Sequence, residues 1–325
     1  MIPRGVRRAI PWRRVGIVLL PAALLVALVL PAAVSTYYVR LITGIFMFGA
    51  LASAWNLIGG HAGYPDFGVA AFLGIGAYTT GILMTRSHVP FAVALPAGGL
   101  LACAAAVSMG ALLLRLRGHY FAIATLGFML VLQQFAANLD ITGGGSGMNL
   151  PVARSFTGFY YWMLGVLVAA VAAGAILPRV RAGYAIAAIR ENQDAAQVLG
   201  IMPLRYKILA YAGSAFFWGI VGGIYAYWFT FIDPPTVFDL DFSIQAIVMT
   251  LFGGPGTVLG PLAGAIVLKS LDTVLTNMSV FLHNVFFGGL VCLLVIFAPR
   301  GLAELFGARG GLVDSVRAGL RESRL

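Results

Sequence analysis

The chain has 325 residues, of which 60% are hydrophobic and only 10% charged. A soluble globular domain carries about 25% charged residues, so this composition excludes a water-solvated enzyme or binding domain and points to a chain solvated by lipid. A net charge of +10 raises nucleic acid as a partner, but the basic residues cluster at the ends of apolar runs, as membrane topology requires, and no nucleic-acid partner is expected.

In lipid the backbone must satisfy its own hydrogen bonds, which leaves helices or closed barrels. The apolar runs are continuous rather than alternating, which predicts helices. The expected fold is all-α: a polytopic transmembrane helix bundle of roughly eight to ten spans with broken or re-entrant helices. Spans are predicted over about 15–34, 41–59, 67–85, 89–114, 120–137, 159–177 and 208–230, followed by a broken region 242–269 and a last span 283–298. Residues 1–14 read as a basic N-terminus, 15–298 as the membrane domain and 299–325 as a tail. The length of the first apolar run favours an uncleaved span over a cleaved signal peptide, and Ala32-Ala33 is a weak cleavage site.

Charge orients the bundle. With the N-terminus in the cytoplasm, only Arg40, Arg86, Arg154 and Lys269 of the 21 basic residues fall outside. Both termini and the segment 179–207 then lie inside. The outer loops carry Asp140, Asp233, Asp239, Asp241 and Asp272 and a glycine-rich run, 142–147.

The first segment that could carry chemistry is the run 55–68, WNLIGGHAGYPDFG, which holds Asn56, Gly60, His61, Gly63 and Asp66. Its glycines and proline break a segment near membrane depth, where irregular backbone needs protein or a water-filled cavity around it. Freed amides and carbonyls there suit a carboxylate and an ammonium, and an intramembrane acid such as Asp66 points to function. The other reading is a cytoplasmic turn in which Asp66 caps the following helix. Gln133, Gln134 and Asn138, further along, could line a polar path or bond between helices.

Next comes 179–207, RVRAGYAIAAIRENQDAAQVLGIMPLRYK, a charged, helix-prone insert between oily runs. One helix is expected over Tyr184–Leu199, with Ala188, Ala195, Val198 and Leu199 sharing a face. Gly200 stops it and Pro203 prevents its continuation. Ala195 and Ala196 would let another surface approach closely. The insert is either a solvated loop helix or the docking site of a soluble partner.

The third segment, QAIVMTLFGGPGTVLGP over 245–261, contains Gln245, Thr250, Gly253 and Gly254. It reads as two short apolar halves around a Gly-Gly-Pro-Gly break. It lacks the Gly-Lys-[Ser/Thr] ending and preceding strand of a phosphate loop. Gly63 and Gly253, Pro65 and Pro255, and Gly74 and Gly264 each stand 190 residues apart, and paired interrupted segments in two halves point toward a transport site. The histidines and the two cysteines, Cys103 and Cys292, show no metal or disulfide spacing. No catalytic motif appears, so neither catalytic residues nor metal ligands are assigned.

The run Glu191-x-x-Asp194-Ala195-Ala196-x3-Gly200-Ile201 resembles the EAA-x3-G coupling loop of ABC importer permeases. With AIRENQDAAQVLGI, RYKILAYAGSAFFWGIVGGIYAY and the two glycine breaks, the chain from about 56 to 301 is similar to branched-chain amino-acid permeases of the LivM type. One departure is local: the family's second acidic position is Gln193 here, with Asp194 beside it. The resemblance implies a bacterial inner-membrane permease with no cofactor of its own. ATP would be bound by cytoplasmic ABC ATPase subunits that dock at Glu191, Asp194, Ala195, Ala196, Gly200 and Ile201. It also implies a second homologous permease subunit and an extracytoplasmic substrate-binding protein. The path would run past 56–68 and 245–256, and the substrate would be a branched-chain or related amino acid. An ABC permease for urea or amides, an ion-coupled secondary transporter and a membrane enzyme are the alternatives. The insert speaks against the second, and the absent catalytic cluster against the third.

Overall fold

The computed structural model describes residues 25–152, 156–278 and 288–289. The predicted N-terminal segment 1–14, much of the first span, the last span 283–298 and the tail lie outside the described residues, wholly or almost so.

Within them the chain is helical almost throughout. After a helical stretch over 25–33, α1 (Thr36–Asn56) passes into a π-helical turn, Leu57–His61, and a loop leads to α2 (Ala70–Thr85). There follow α3 (Phe91–Leu113), α4 (His119–Asn138), α5 (Phe156–Ile176), α6 (Arg181–Glu191), α7 (Gln193–Val198) and α8 (Pro203–Phe229). A short α9 (Pro234–Val237), α10 (Leu240–Gly253) and α11 (Gly260–Met278) complete the described chain. Six helical runs are long and apolar enough to cross a membrane, and α2 is a shorter apolar helix. These match the predicted spans over the described residues.

Packing follows from where the small residues fall. The short α2 is buried over most of its length, which suits a helix that is apolar all round. It is enclosed by α3 and α8. Gly76 of α2 lies against the backbone of Gly219 in α8, and Gly98 of α3 against the backbone of Gly76. Backbones this close leave no room for side chains, which is how helices associate where lipid removes the hydrophobic drive. Trp218, Tyr211, Phe72, Phe121 and Tyr160 fill the interior. The outer faces of α3 and α4 expose Leu100, Leu101, Leu112, Ile123, Val131 and Phe135, the surface a lipid-facing helix presents.

The two ends of the bundle differ. At one end β1 (Met148–Asn149) pairs antiparallel with β2 (Phe231–Ile232), and Arg86 donates to the carbonyl of Asp140. At the other end lie α6, α7 and both glycine breaks. The region read as broken over 242–269 is a helical hairpin. α10 and α11 pack antiparallel, with Gly253 against Gly260 and Gly264 against Met249, and their break sits at the insert end. The break between α1 and α2 also lies at the insert end, and α2 begins at 70 where α11 begins at 260, but α1 packs on α5, α10 and α11 rather than on α2. Both breaks lie at the same end, so the 190-residue spacing marks segments of like orientation rather than inverted ones.

The insert corrects one expectation. The single helix predicted over Tyr184–Leu199 is two helices, broken at Asn192, whose backbone is extended (φ −157°, ψ 107°). Its side-chain Oδ1 accepts from the backbone N–H of Asp194 and of Ala195, each at 3.0 Å. Asparagine offers the chain an N-cap that competes with helix continuation, and here the cap wins. The predicted common face is therefore split. Val198, Leu199 and Ala195 are exposed, Ala188 belongs to the preceding helix, and Ala196 is turned inward, 2% exposed.

Candidate coupling site

The insert ends as the sequence requires. Ile201 N–H donates to Ala196 O and Gly200 N–H to Gln197 O, the paired bonds of a Schellman stop. Gly200 has φ +82° with open space around it, so glycine is needed there for its backbone angle and not for room. Beyond this stop the insert shows solvent an apolar patch: Tyr184 is 69%, Val198 88%, Leu199 80% and Met202 55% exposed. Glu191 and Ala195 are also exposed. Asp194 pairs with Arg117 from the turn between α3 and α4 at 2.9 Å. The guanidinium beside it holds the Asp194 carboxyl below its ordinary value.

Among the described residues, buried Ile186 and Ile189 pack the insert on the bundle and three polar contacts fasten it. The Arg117–Asp194 pair is the outermost. Inside it, Lys207 of α8 is only 2% exposed, which is rare for lysine without partners. Its ammonium donates to Tyr64 Oη and Gln193 Oε1 and lies 4.1 Å from the centroid of the Tyr64 ring. Tyr64 Oη donates in turn to Gln193 Oε1 at 2.9 Å, so loop 62–69, α7 and α8 share one polar clasp. The third contact is Arg190 Nη1, which donates to the carbonyl of Gly60.

The two glycine breaks are stapled to each other. Asn56, 2% exposed at the end of α1, donates from Nδ2 to Thr257 O at 2.8 Å. Its Oδ1 accepts from Gly256 N at 2.8 Å. Gly60 leaves no space for a side chain beside Asn56 Oδ1 and Gly256 N. Thr250, fully buried, donates to Ala52 O at 3.0 Å and joins α10 to α1 one turn deeper.

The candidate path residues thus fall into two groups. Asn56 and Gly60 meet the second break at Gly256 and Thr257, just past Gly253 and Gly254, and Gly63 lies against Arg190, which bonds to Gly60. Asp66, His61 and Gln245 are not part of this knot. Asp66 is fully buried in the loop, Oδ1 accepting from Gly68 N at 2.9 Å while its backbone carbonyl accepts from Trp55 Nε1 at 2.8 Å. That is an Asx turn leading into α2. Asp66 Oδ2, His61 Nε2 and Gln245 Oε1 are buried and have no hydrogen-bond partner among the described residues. Sequence reasoning missed Tyr64, Arg117, Arg190, Asn192, Lys207 and Thr257. Arg117 and Lys207 read as topology signals and Arg190 as part of the polar face of the insert helix, and the partners of the three cations lie 77, 130 and 143 residues away.

A multi-pass helical bundle, with a two-helix insert braced against paired helix breaks, fits a membrane permease. The chain belongs to the permease component family of branched-chain amino acid transport systems, whose profile matches residues 37–297. It is 29% identical over 318 residues to the high-affinity branched-chain amino acid transport system permease protein LivM of Salmonella typhimurium, covering 88% of this chain and 74% of that protein. It is 27% identical over 304 residues to the probable branched-chain amino acid transport permease protein LivM of Methanocaldococcus jannaschii, covering 76% and 87%. The L-arabinose ABC transporter permease protein AraH of Azospirillum brasilense is 28% identical over 250 residues, 72% of each chain. No solved structure matches the chain significantly.

Proposed function

We propose that this chain is one of two homologous permease subunits of an ABC importer that moves branched-chain amino acids inward across a bacterial inner membrane. The insert end faces the cytoplasm, with both termini on that side. Separate ATPase subunits bind and hydrolyse ATP and dock on the insert at Glu191, Asp194, Ala195, Gly200 and Ile201, with Val198 and Leu199 as the apolar contact; Ala196, expected in this footprint, faces the bundle instead. An extracytoplasmic binding protein delivers substrate to the opposite end. The path runs past Asn56, Gly60, His61, Gly63, Asp66, Gln245, Thr250, Gly253 and Gly254.

The observation that carries this reading is the apolar patch at Tyr184, Val198, Leu199 and Met202. It stands on a charged insert whose inner side is clasped to the helix breaks. Exposed apolar side chains on a charged surface mark a partner's footprint. The family supplies the partner's kind, and branched-chain substrates are named for its relatives. The test is co-expression with candidate ATPase subunits, a second permease and a binding protein. The purified complex should hydrolyse ATP faster when the binding protein is loaded with L-leucine. A complex that forms but responds equally to loaded and empty binding protein would refute the assigned substrate. Failure of the ATPases to co-purify would refute the docking.

A further inference from the structure

Arg190 occupies an unusual seat. It lies near the end of α6 and stays partly exposed, while its guanidinium reaches Gly60 beside Gly256, where the two breaks meet. Nη1 donates to Gly60 O. A Cβ at Gly63 would stand 3.2 Å from Arg190 Cγ, and one at Gly256 3.0 Å from Nη1. Gly63 and Gly256 also have positive φ, +74° and +78°, so side chains there would be strained as well as crowded. The glycines of the two breaks therefore leave room for the Arg190 side chain along one side, the other remaining exposed. Asn56 ties Gly256 and Thr257 to the end of α1.

From this geometry we propose that Arg190 is the positioning residue through which movement of the insert is passed to both helix breaks together. The Lys207 clasp joins the insert to loop 62–69 and α8, and the Arg117–Asp194 pair joins it to the α3–α4 turn. Of the three fastenings, only Arg190 touches both breaks. A guanidinium suits the task because its donors form a rigid planar fork and its hydrogen bond is charge-assisted. Displacement of α6 by a docked partner then pulls on Gly60, and through the Asn56 staple on Gly256. The ends of α1 and α10 and the starts of α2 and α11 shift as a unit. The sources of motion are the docked ATPases, so the inference rests on the coupling reading above.

The test is hydrogen exchange on the assembled complex, permeases with ATPases, in nanodiscs with and without ATP. In the wild type, exchange at 181–198 should change on ATP binding, and 57–64 and 254–259 should change with it. In Arg190→Ala the response of the insert should persist. The response of the two breaks should fall by about tenfold or more, the factor attached to a lost hydrogen bond to a charged group. Arg190→Lys, which keeps the charge without the fork, should show the same loss and serves where the alanine variant does not fold. Breaks that respond fully in either folded variant, or that stay silent in the wild type while the insert responds, overturn the inference. An insert that does not respond in the wild type refutes the docking reading instead.

Discussion

Replacing Val198 and Leu199 together by alanine separates docking from folding. The two side chains are 88% and 80% exposed, so removing them should change the stability of the free permease by less than about 0.5 kcal/mol. Bound to a partner they would be buried. Alanine removes two carbons from valine and three from leucine. At about 0.8 kcal/mol per buried carbon, full burial puts roughly 4 kcal/mol at stake. That corresponds to about a thousandfold in Kd. The assay is ATPase binding to the permease complex in nanodiscs, followed by biolayer interferometry, with a melting curve of the same sample. The expected result is a hundred- to thousandfold weaker Kd, the range set by complete or partial burial, at unchanged melting temperature. Wild-type affinity in the double variant would refute the argument that this patch is the footprint. Lost affinity with a collapsed melting curve would refute the claim that these side chains play no part in the fold.

Gly200→Ala should cost about 1 kcal/mol locally, because alanine must adopt the left-handed backbone. Faster hydrogen exchange at the Gly200 and Ile201 amides would report it, and unchanged protection would contradict it. Asn56→Ala leaves Gly256 N–H and Thr257 C=O without their partner, and should destabilise the bundle by roughly 2–5 kcal/mol; a wild-type melting temperature would count against the staple. The Arg117–Asp194 pair should be sensitive to acid. The arginine lowers the folded-state value of Asp194 below the ordinary 3.8. The pair's contribution is therefore present above that ordinary value and is lost as pH falls through the lowered one. Both groups are exposed, so the effect is small and screened by salt. Arg117→Ala, or high salt, should raise the Asp194 titration midpoint toward 3.8, and a midpoint unmoved by either would contradict the pairing.

Hydropathy made the spans legible because lipid imposes one rule on every residue of a crossing. α1, α3, α4, α5 and α8 accordingly fall within a few residues of their predicted bounds. Gly200 was legible for a different reason: only glycine readily takes the angle that a Schellman stop demands. Asn192 was not, since a single asparagine among good helix formers shifts propensity by less than about 1 kcal/mol. Its cap bonds to Asp194 and Ala195 decide the outcome only once the insert is held against the bundle. Lys207 illustrates the larger gap. Near a span end it reads as a topology signal, and nothing local announces that Tyr64 and Gln193 will enclose it. The glycines were visible as breaks. That Arg190 fills the space they leave depends on contacts more than a hundred residues apart, which no local pattern encodes.

Whether ATP bound elsewhere drives this permease through its insert is tested most directly by uptake of labelled L-leucine into proteoliposomes that hold this chain, a second permease and the ATPase subunits, with binding protein outside and ATP within. The expected uptake requires ATP, survives an ionophore and is abolished by removing the ATPases. Uptake by this chain alone, indifferent to ATP and collapsed by the ionophore, would contradict ATP-driven transport.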